Sequence, residues 1–291
     1  MTKFSAIAEN LPDETIREMN FFDSSFFKEP SKSLPTPAQV RALSKDIHAN
    51  PQPQPIIFEE SKVFVKFGPY VTIAEAQCLW MIKRDFGDEI PVPEIFGWRI
   101  DEENYVFLYM ELIQGQTLQD GWSGLNSLDK SSLCDELCQI VNRLRRLEQD
   151  PSDNYIATPR LCFPIIPENR PLTVKEFNDW FPYLPQLRLS PSKRYNDPYR
   201  HFLPDGGVIK FTLGDLHRGN IIISSSKPAR ILAIVDWAQA GWYPDYWEYC
   251  KALYTCWYED EWRRDWIDNF LSPRLREFEV FIEYTMAMGS V

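Results

Sequence analysis

Residues 211–237 read FTLGDLHRGNIIISSSKPARILAIVDW, and this stretch decides the fold. Ile221–Ser225 and Ile231–Val235 are apolar, β-branched runs of strand character. Between them Ser226, Lys227 and Pro228 supply a turn, so the two runs are predicted to close as an antiparallel hairpin. In that register Asn220 lies opposite Asp236, with Cα atoms roughly 4.5–5.5 Å apart. An amide and a carboxylate then share one edge, and Asp215 stands five residues before Asn220 in the preceding loop. Oxygen donors of this kind suit Mg²⁺, which keeps several waters and takes the rest of its shell from substrate phosphates.

The spacing Asp-x-x-x-x-Asn, followed by Asp after a hairpin, is that of kinase catalytic and metal loops. Any one of these residues alone reads as a polar turn. Three at this spacing, around so apolar a hairpin, point to phosphoryl transfer. GDLHRGNIII and IVDW resemble motifs of the aminoglycoside phosphotransferase and choline kinase branch of the protein-kinase-like superfamily. GWYPDYWEYCKA, at 241–252, resembles a fungal subgroup of that family.

The resemblance runs from about Leu34 to the end of the chain. It implies an α+β, bilobal, protein-kinase-like fold with a small β-rich N-lobe and a larger, mostly helical C-lobe. Residues 1–55 would be an N-terminal extension bracing the N-lobe, 56–110 the N-lobe, and 111–291 the C-lobe with its catalytic and metal loops. The resemblance also implies ATP and Mg²⁺ as cofactors and a small-molecule hydroxyl as the acceptor. Asp215 would accept or orient that hydroxyl, and Asn220 and Asp236 would hold the metal.

Ile56–Gly68 reads as two strands joined near Glu59–Ser61, with Phe64 and Lys66 on one face of the second. Thr72–Phe86 has helical periodicity that lines up Glu75, Leu79, Ile82 and Phe86. A carboxylate in an apolar stripe calls for a partner. Two readings stand: a capping box, Thr72-x-x-Glu75, or an ion pair with Lys66. The resemblance implies the pair, with Lys66 on nucleotide phosphates. It also makes Met110–Ile113 the hinge, the backbone of Glu111 and Ile113 the adenine partners, and Gly115 the turn into the C-lobe.

Elsewhere the chain is predicted to be helical over Pro35–Ser44, Leu128–Glu148 and from the capping box Thr173-x-x-Glu176 to Phe181, with a polar loop at Asp150–Asn154. In the family, the loops between these helices help to shape the acceptor site. The run of aromatics after the central motif, Trp242, Tyr243, Tyr246, Trp247 and Tyr249, reads either as core or as a cage for a cation. Asp245 and Glu248 are acceptor-side candidates by their closeness to the metal loop.

Composition narrows the function classes. A net charge of −11 argues against nucleic acid as partner. No apolar run approaches the ~20 residues that span a bilayer, and MTKFSAIAENLPDET lacks the apolar core of a signal peptide. Six scattered cysteines without a CxxC pair fit reduced thiols in the cytoplasm.

Two positions depart from the family. Leu213 stands where His precedes Gly-Asp, and Ala238 where Glu or His follows Asp-Trp. The turn EESK, at 59–62, is acidic and lacks the glycines that let backbone approach phosphate. With Leu213 the catalytic loop is expected to be held by packing alone. Three readings remain: an ATP-dependent phosphotransferase; a catalytically impaired kinase-fold protein that binds a ligand or partner; and a metal hydrolase built on Asp215, His217 and Asp236. The last is weakest, with one histidine near the carboxylates.

Overall fold

The computed structural model describes residues 4–6, 11–29, 31–45, 50–149 and 171–288. The predicted loop Asp150–Asn154 lies outside them. In chain order the strands are β1 (Phe4–Ala6), β2 (Glu18–Asn20), β3 (Ile56–Phe58), β4 (Val63–Gly68), β5 (Ile95–Ile100) and β6 (Val106–Glu111). They continue as β7 (Gln116–Thr117), β8 (Leu147–Gln149), β9 (Ile209–Thr212), β10 (Ile221–Ile223), β11 (Ile231–Ile234) and β12 (Gly241–Pro244). The helices are α1 (Pro37–Leu43), α2 (Ile73–Phe86), α3 (Leu118–Gly121), α4 (Ser127–Leu144), α5 (Val174–Trp180), α6 (Trp247–Tyr254), α7 (Ile267–Phe270) and α8 (Leu275–Met288). The chain packs as two compact units, one of 9–121 with 219–238, the other of 1–8, 122–218 and 239–291.

The first unit is organised by a five-stranded antiparallel sheet in the order β2-β5-β6-β4-β3. Strand alternation sends Val63, Val65 and Phe67 of β4 to one face, where they are buried. Phe26, Leu34 and Val40, from the segment between β2 and β3, pack on them together with Phe107 and Tyr109. Burying each such side chain contributes about 1.5–3 kcal/mol. Helix α1 begins with a complete capping box between Thr36 and Gln39. Lys66 emerges on the other face of β4, paired in register with Leu108 of β6. Helix α2 contacts β5 and β6 and buries Ala76, Leu79, Ile82 and Phe86 along with Glu75.

A second small sheet of the same unit, β11-β10-β7, carries the predicted hairpin. Gly115, just before β7, has to be glycine because a Cβ there would lie 2.6 Å from the Ile223 carbonyl oxygen of β10. Close approach of a neighbouring strand, rather than the predicted turn, sets that requirement.

In the second unit the chain leaves along β9 and returns along β12, which pair antiparallel from Thr212↔Gly241 to Ile209↔Pro244. Helix α5 has the predicted capping box, Thr173 with Glu176. Helix α4 starts at an Asn126 cap and buries Leu133, Leu137, Ile140 and Leu144. It stops at Leu144, short of the predicted Glu148, and Leu147 instead lies in β8, parallel to β1. Leu147 is buried in either conformation, so its spacing from Leu144 did not distinguish another helical turn from a strand. Among the described residues no helix is long and apolar enough to cross a membrane.

Candidate active site

Lys66 and Glu75 meet across the sheet-and-helix unit, as the ion-pair reading expects. The Lys66 Nζ donates to both Glu75 carboxylate oxygens at 2.9 Å and to Asp236 Oδ1 at 2.7 Å. Glu75 is 2% exposed. Burial pushes its carboxyl above the ordinary range against the pull of Lys66, and the Asp236 charge adds to the rise. The Trp237 backbone N–H also donates to it. Burial disfavours the Lys66 ammonium, but the two carboxylates outweigh it and hold its pKa above the usual lysine value.

The capping-box alternative fails on geometry. Thr72 precedes α2 without a side-chain cap bond, and its buried Oγ1 has no partner. The two readings therefore separate by mutation. Thr72→Ala is expected to change unfolding free energy by less than about 0.5 kcal/mol, whereas Glu75→Ala, which strips a buried partner from Lys66, costs about 3 kcal/mol. Urea denaturation of the two variants checks this, and equal losses would restore the cap.

The hairpin forms, with one correction. Ile221 faces Ile234 and Ile222 faces Ala233, and the Val235 N–H donates to the Asn220 carbonyl at 2.9 Å. Asn220 is therefore opposite Val235, not Asp236. The loop between the strands runs from 224 to 230, longer than predicted, and a bulge beside Ile222/Ile223 recovers only part of the offset. Asp236 lies beyond the ladder in a left-handed conformation, φ +59°, a sparsely populated region for a residue other than glycine. Its carboxylate is 41% exposed while the Asn220 residue is 8% exposed. One carboxylate and one amide are hard oxygen donors that fit a cation with a largely water and phosphate shell. This donor set is compatible with Mg²⁺.

Asp215 belongs to the other unit. Gly214, just before it, has φ +78°, and a Cβ there would sit 2.7 Å from the Gln239 carbonyl oxygen. The Asp215 side chain is 17% exposed, with His217 Nε2 at 3.9 Å from Oδ2. The loop is not held by packing alone. Leu213 is buried, but its N–H donates to Glu248 Oε2 at 2.7 Å, and the Gly214 N–H donates to Oε1 at 3.2 Å. Glu248 thus anchors, from α6, the loop that precedes Asp215. Burial lifts its pKa to about 7; the two backbone donors and Arg145 oppose the rise, and the Asp215 charge adds to it.

Three residues past Asp215, Arg218 forms an ion pair with Asp260 and lies 5.2 Å over the Trp122 ring. Asp245 is fixed by Arg274 at 2.6 Å, leaving less freedom for an acceptor role. The aromatic run is core. Tyr243, Tyr246, Trp247 and Tyr249 are at most 2% exposed, and Tyr243 stacks on Trp247 at 5.0 Å. Nothing of a cation cage is left in it.

Glu111 closes β6. Its N–H donates to the Glu94 carbonyl at 2.8 Å and its carboxylate accepts from the Glu94 N–H at 3.3 Å. Ile113 stands two residues on, after Leu112 donates to the Lys62 carbonyl at 3.0 Å. Sequence reasoning missed the anchoring role of Glu248 and the Trp237 N–H on Glu75. Glu248 carried one signal that was not used: a carboxylate inside a helix start otherwise made of buried rings requires hydrogen-bond donors.

A sheet unit with a lysine–glutamate pair, a catalytic loop and a left-handed aspartate after a hairpin define a protein-kinase-like fold. Residues 78–283 match the family described as the phosphotransferase enzyme family, APH, and the chain belongs to that family. It is a kinase-type phosphotransferase by family. The GDP complex of aminoglycoside 2'-phosphotransferase-IIIa aligns at TM-score 0.54 and 14% identity, over 89% of this chain and 86% of that one. Aminoglycoside phosphotransferase APH(3'')-Id from Streptomyces rimosus aligns at TM-score 0.48 and 14% identity, over 81% and 92%. An apo thermostable mutant of aminoglycoside phosphotransferase APH(4)-Ia gives 0.48 and 15%, over 78% and 77%. At such identities the likeness is one of fold. No curated protein matches the chain.

Proposed function

We propose that the protein transfers the γ-phosphoryl group of ATP, with Mg²⁺, to a hydroxyl of a small molecule. The observation that carries this reading is Lys66 held between Glu75 and Asp236. In the reading, Lys66 engages nucleotide phosphates and Asn220 and Asp236 hold the metal, which when bound neutralises charge on the phosphate oxygens. The backbone of Glu111 and Ile113 takes the adenine. Asp215 accepts the acceptor hydroxyl proton as that oxygen bonds the γ-phosphorus and the bond to the β–γ bridging oxygen breaks. Catalysis of this kind is mostly positioning and charge neutralisation.

Support for a nucleotide also comes from the aligned 2'-phosphotransferase, a GDP complex. The hydrolase reading loses ground: among the described residues no cluster of three His, Cys, Asp or Glu side chains could hold a metal.

A second reading, a kinase-fold protein that binds without turnover, is favoured by Ala238 and by the acidic, glycine-free turn at 59–62. Thermal unfolding with Mg-ATP tests the nucleotide site that the first reading requires. At a hundredfold excess over Kd, a bound nucleotide stabilises by about 2.7 kcal/mol, worth about 4–5 °C in a chain of 291 residues. That shift is expected in the wild type and largely lost in Asp236→Ala. A flat wild-type response would end the phosphotransferase reading and leave a kinase-fold protein that binds some other ligand or partner. Acceptor-dependent ADP release from a panel of hydroxylated compounds then separates them.

A further inference from the structure

The bonds from Glu248 reach the catalytic loop ahead of Asp215. A second anchor lies behind it, in the same unit. The His217 N–H donates to the Asp215 carbonyl at 3.0 Å, closing a three-residue turn around Leu216, which is buried. Arg218 follows at once. With so tight a turn between them, a displacement at Arg218 is passed to Asp215 with little slack to absorb it.

The Arg218 side chain is 13% exposed, and its Nη2 donates to Oδ2 of Asp260, in the connection between α6 and α7. The other oxygen, Oδ1, accepts from the Trp262 N–H at 2.8 Å, so the Asp260 carboxylate is oriented independently of the arginine. The Trp122 ring faces the guanidinium at 5.2 Å. That ring is itself fixed. Its Nε1 donates to Glu261 at 3.0 Å, and Trp262 and Trp266 meet it edge-on at 5.2 and 5.8 Å.

A guanidinium this little exposed has to be paired, because removing its partner leaves an uncompensated charge away from water. Glu261, the next residue, does not stand in for Asp260. Its two oxygens accept from Lys130 at 3.0 Å each, besides the indole N–H groups of Trp122 and Trp266. Without Asp260 the guanidinium is expected to turn toward water and to pull the loop with it.

We propose that Asp260 is a positioning residue for phosphoryl transfer: through Arg218 it fixes the loop behind Asp215, as Glu248 fixes it in front. The proposal rests on the reading of Asp215 as proton acceptor. A general base has to lie within hydrogen-bond reach of the hydroxyl it serves, about 2.6–3.2 Å. A misplacement of about 1 Å costs on the order of 10²-fold. Asp260 contacts neither nucleotide nor acceptor in this scheme, so its loss falls on kcat and not on nucleotide affinity.

Asp260→Asn keeps an oxygen for the Trp262 N–H and removes the charge opposite Arg218. It is expected to lower kcat about 30–100-fold, with the Kd for Mg-ATP within about twofold and wild-type circular dichroism. Arg218→Met should lose as much, and Arg218→Lys, which keeps the ion pair, less than about fivefold. The double variant Arg218→Met/Asp260→Asn should be no worse than either single one, since both remove the same link. Amide hydrogen exchange reads the loop without turnover. In Asp260→Asn the peptide spanning 213–218 should exchange about tenfold faster or more, with α5 and α8 unchanged. Losses that multiply in the double variant, or a lysine variant as poor as the methionine one, would overturn action through Arg218. Unchanged kcat or unchanged loop exchange in Asp260→Asn would overturn the proposal itself. A wild-type chain without turnover would instead overturn the transfer reading and the catalytic half of the proposal, and the exchange result would still decide whether Asp260 holds the loop.

Discussion

Asp215→Asn is expected to lower acceptor-dependent ADP release by about 10²–10⁴-fold, the usual contribution of a positioned general base. The Kd for Mg-ATP should stay within about twofold, because the nucleotide contacts proposed for Lys66, Asn220 and Asp236 are untouched. The substitution keeps size and removes charge, so folding is preserved while the proton acceptor is lost. The placement of Asp215 favours this outcome: Gly214 fixes the backbone just before it, and Glu248 holds the two preceding N–H groups. A variant with unchanged turnover would remove Asp215 from the chemistry. A variant that lost nucleotide affinity in parallel would recast it as part of the binding site.

Most of this arrangement was legible in the sequence, and the reasons differ from residue to residue. Lys66 and Glu75 were found because each broke a pattern, a cation in an alternating apolar strand and a carboxylate in a helical stripe. Burial makes such breaks informative, since a charge there must be paired. The hairpin was visible in its β-branched runs, but its register was not. Turn length and bulges move facing positions by one residue at a time, and apolar side chains on both strands give no signal for which offset wins. The end of α4 was missed for a similar reason, because Leu147 is buried as helix or strand.

Glu248 was misread because closeness in sequence was taken for closeness to the acceptor. The bonds it makes, to Leu213 and Gly214, bridge 35 and 34 residues and form only once β9 and β12 pair. That pairing also explains how a leucine can replace the family histidine. The loop's donors are met by a carboxylate from α6, and Leu213 needs only to fill its buried position.

The same carboxylate is expected to make stability and turnover depend on pH. In the folded protein Glu248 titrates near 7, against an ordinary value of 4.5. A raised pKa means that the folded state holds the proton more tightly than the unfolded chain. The contribution to stability is fully present below about 4.5 and lost as pH rises through about 7, an effect of about 3 kcal/mol in all. Activity should run the other way. Ionised, Glu248 accepts from both the Leu213 and Gly214 N–H groups; protonated, one oxygen becomes a donor and faces an N–H. Turnover should therefore rise through a single-proton limb centred near pH 7, while denaturation midpoints fall from about pH 4.5 and level off above about 7. Glu248→Gln fixes the second situation permanently, leaving one buried N–H against an amide N–H₂. That mismatch is expected to lower kcat at pH 8 at least tenfold, while the neutral amide, like the protonated carboxyl, escapes the stability loss that ionisation brings to the wild type. Both pH limbs should flatten, which separates an effect through Glu248 from one through any other titrating group. Profiles of kcat and of urea unfolding between pH 5 and 9 provide the measurement. If the glutamine variant kept the wild-type limb near 7, Glu248 would be only a structural anchor and the titration would belong to another residue.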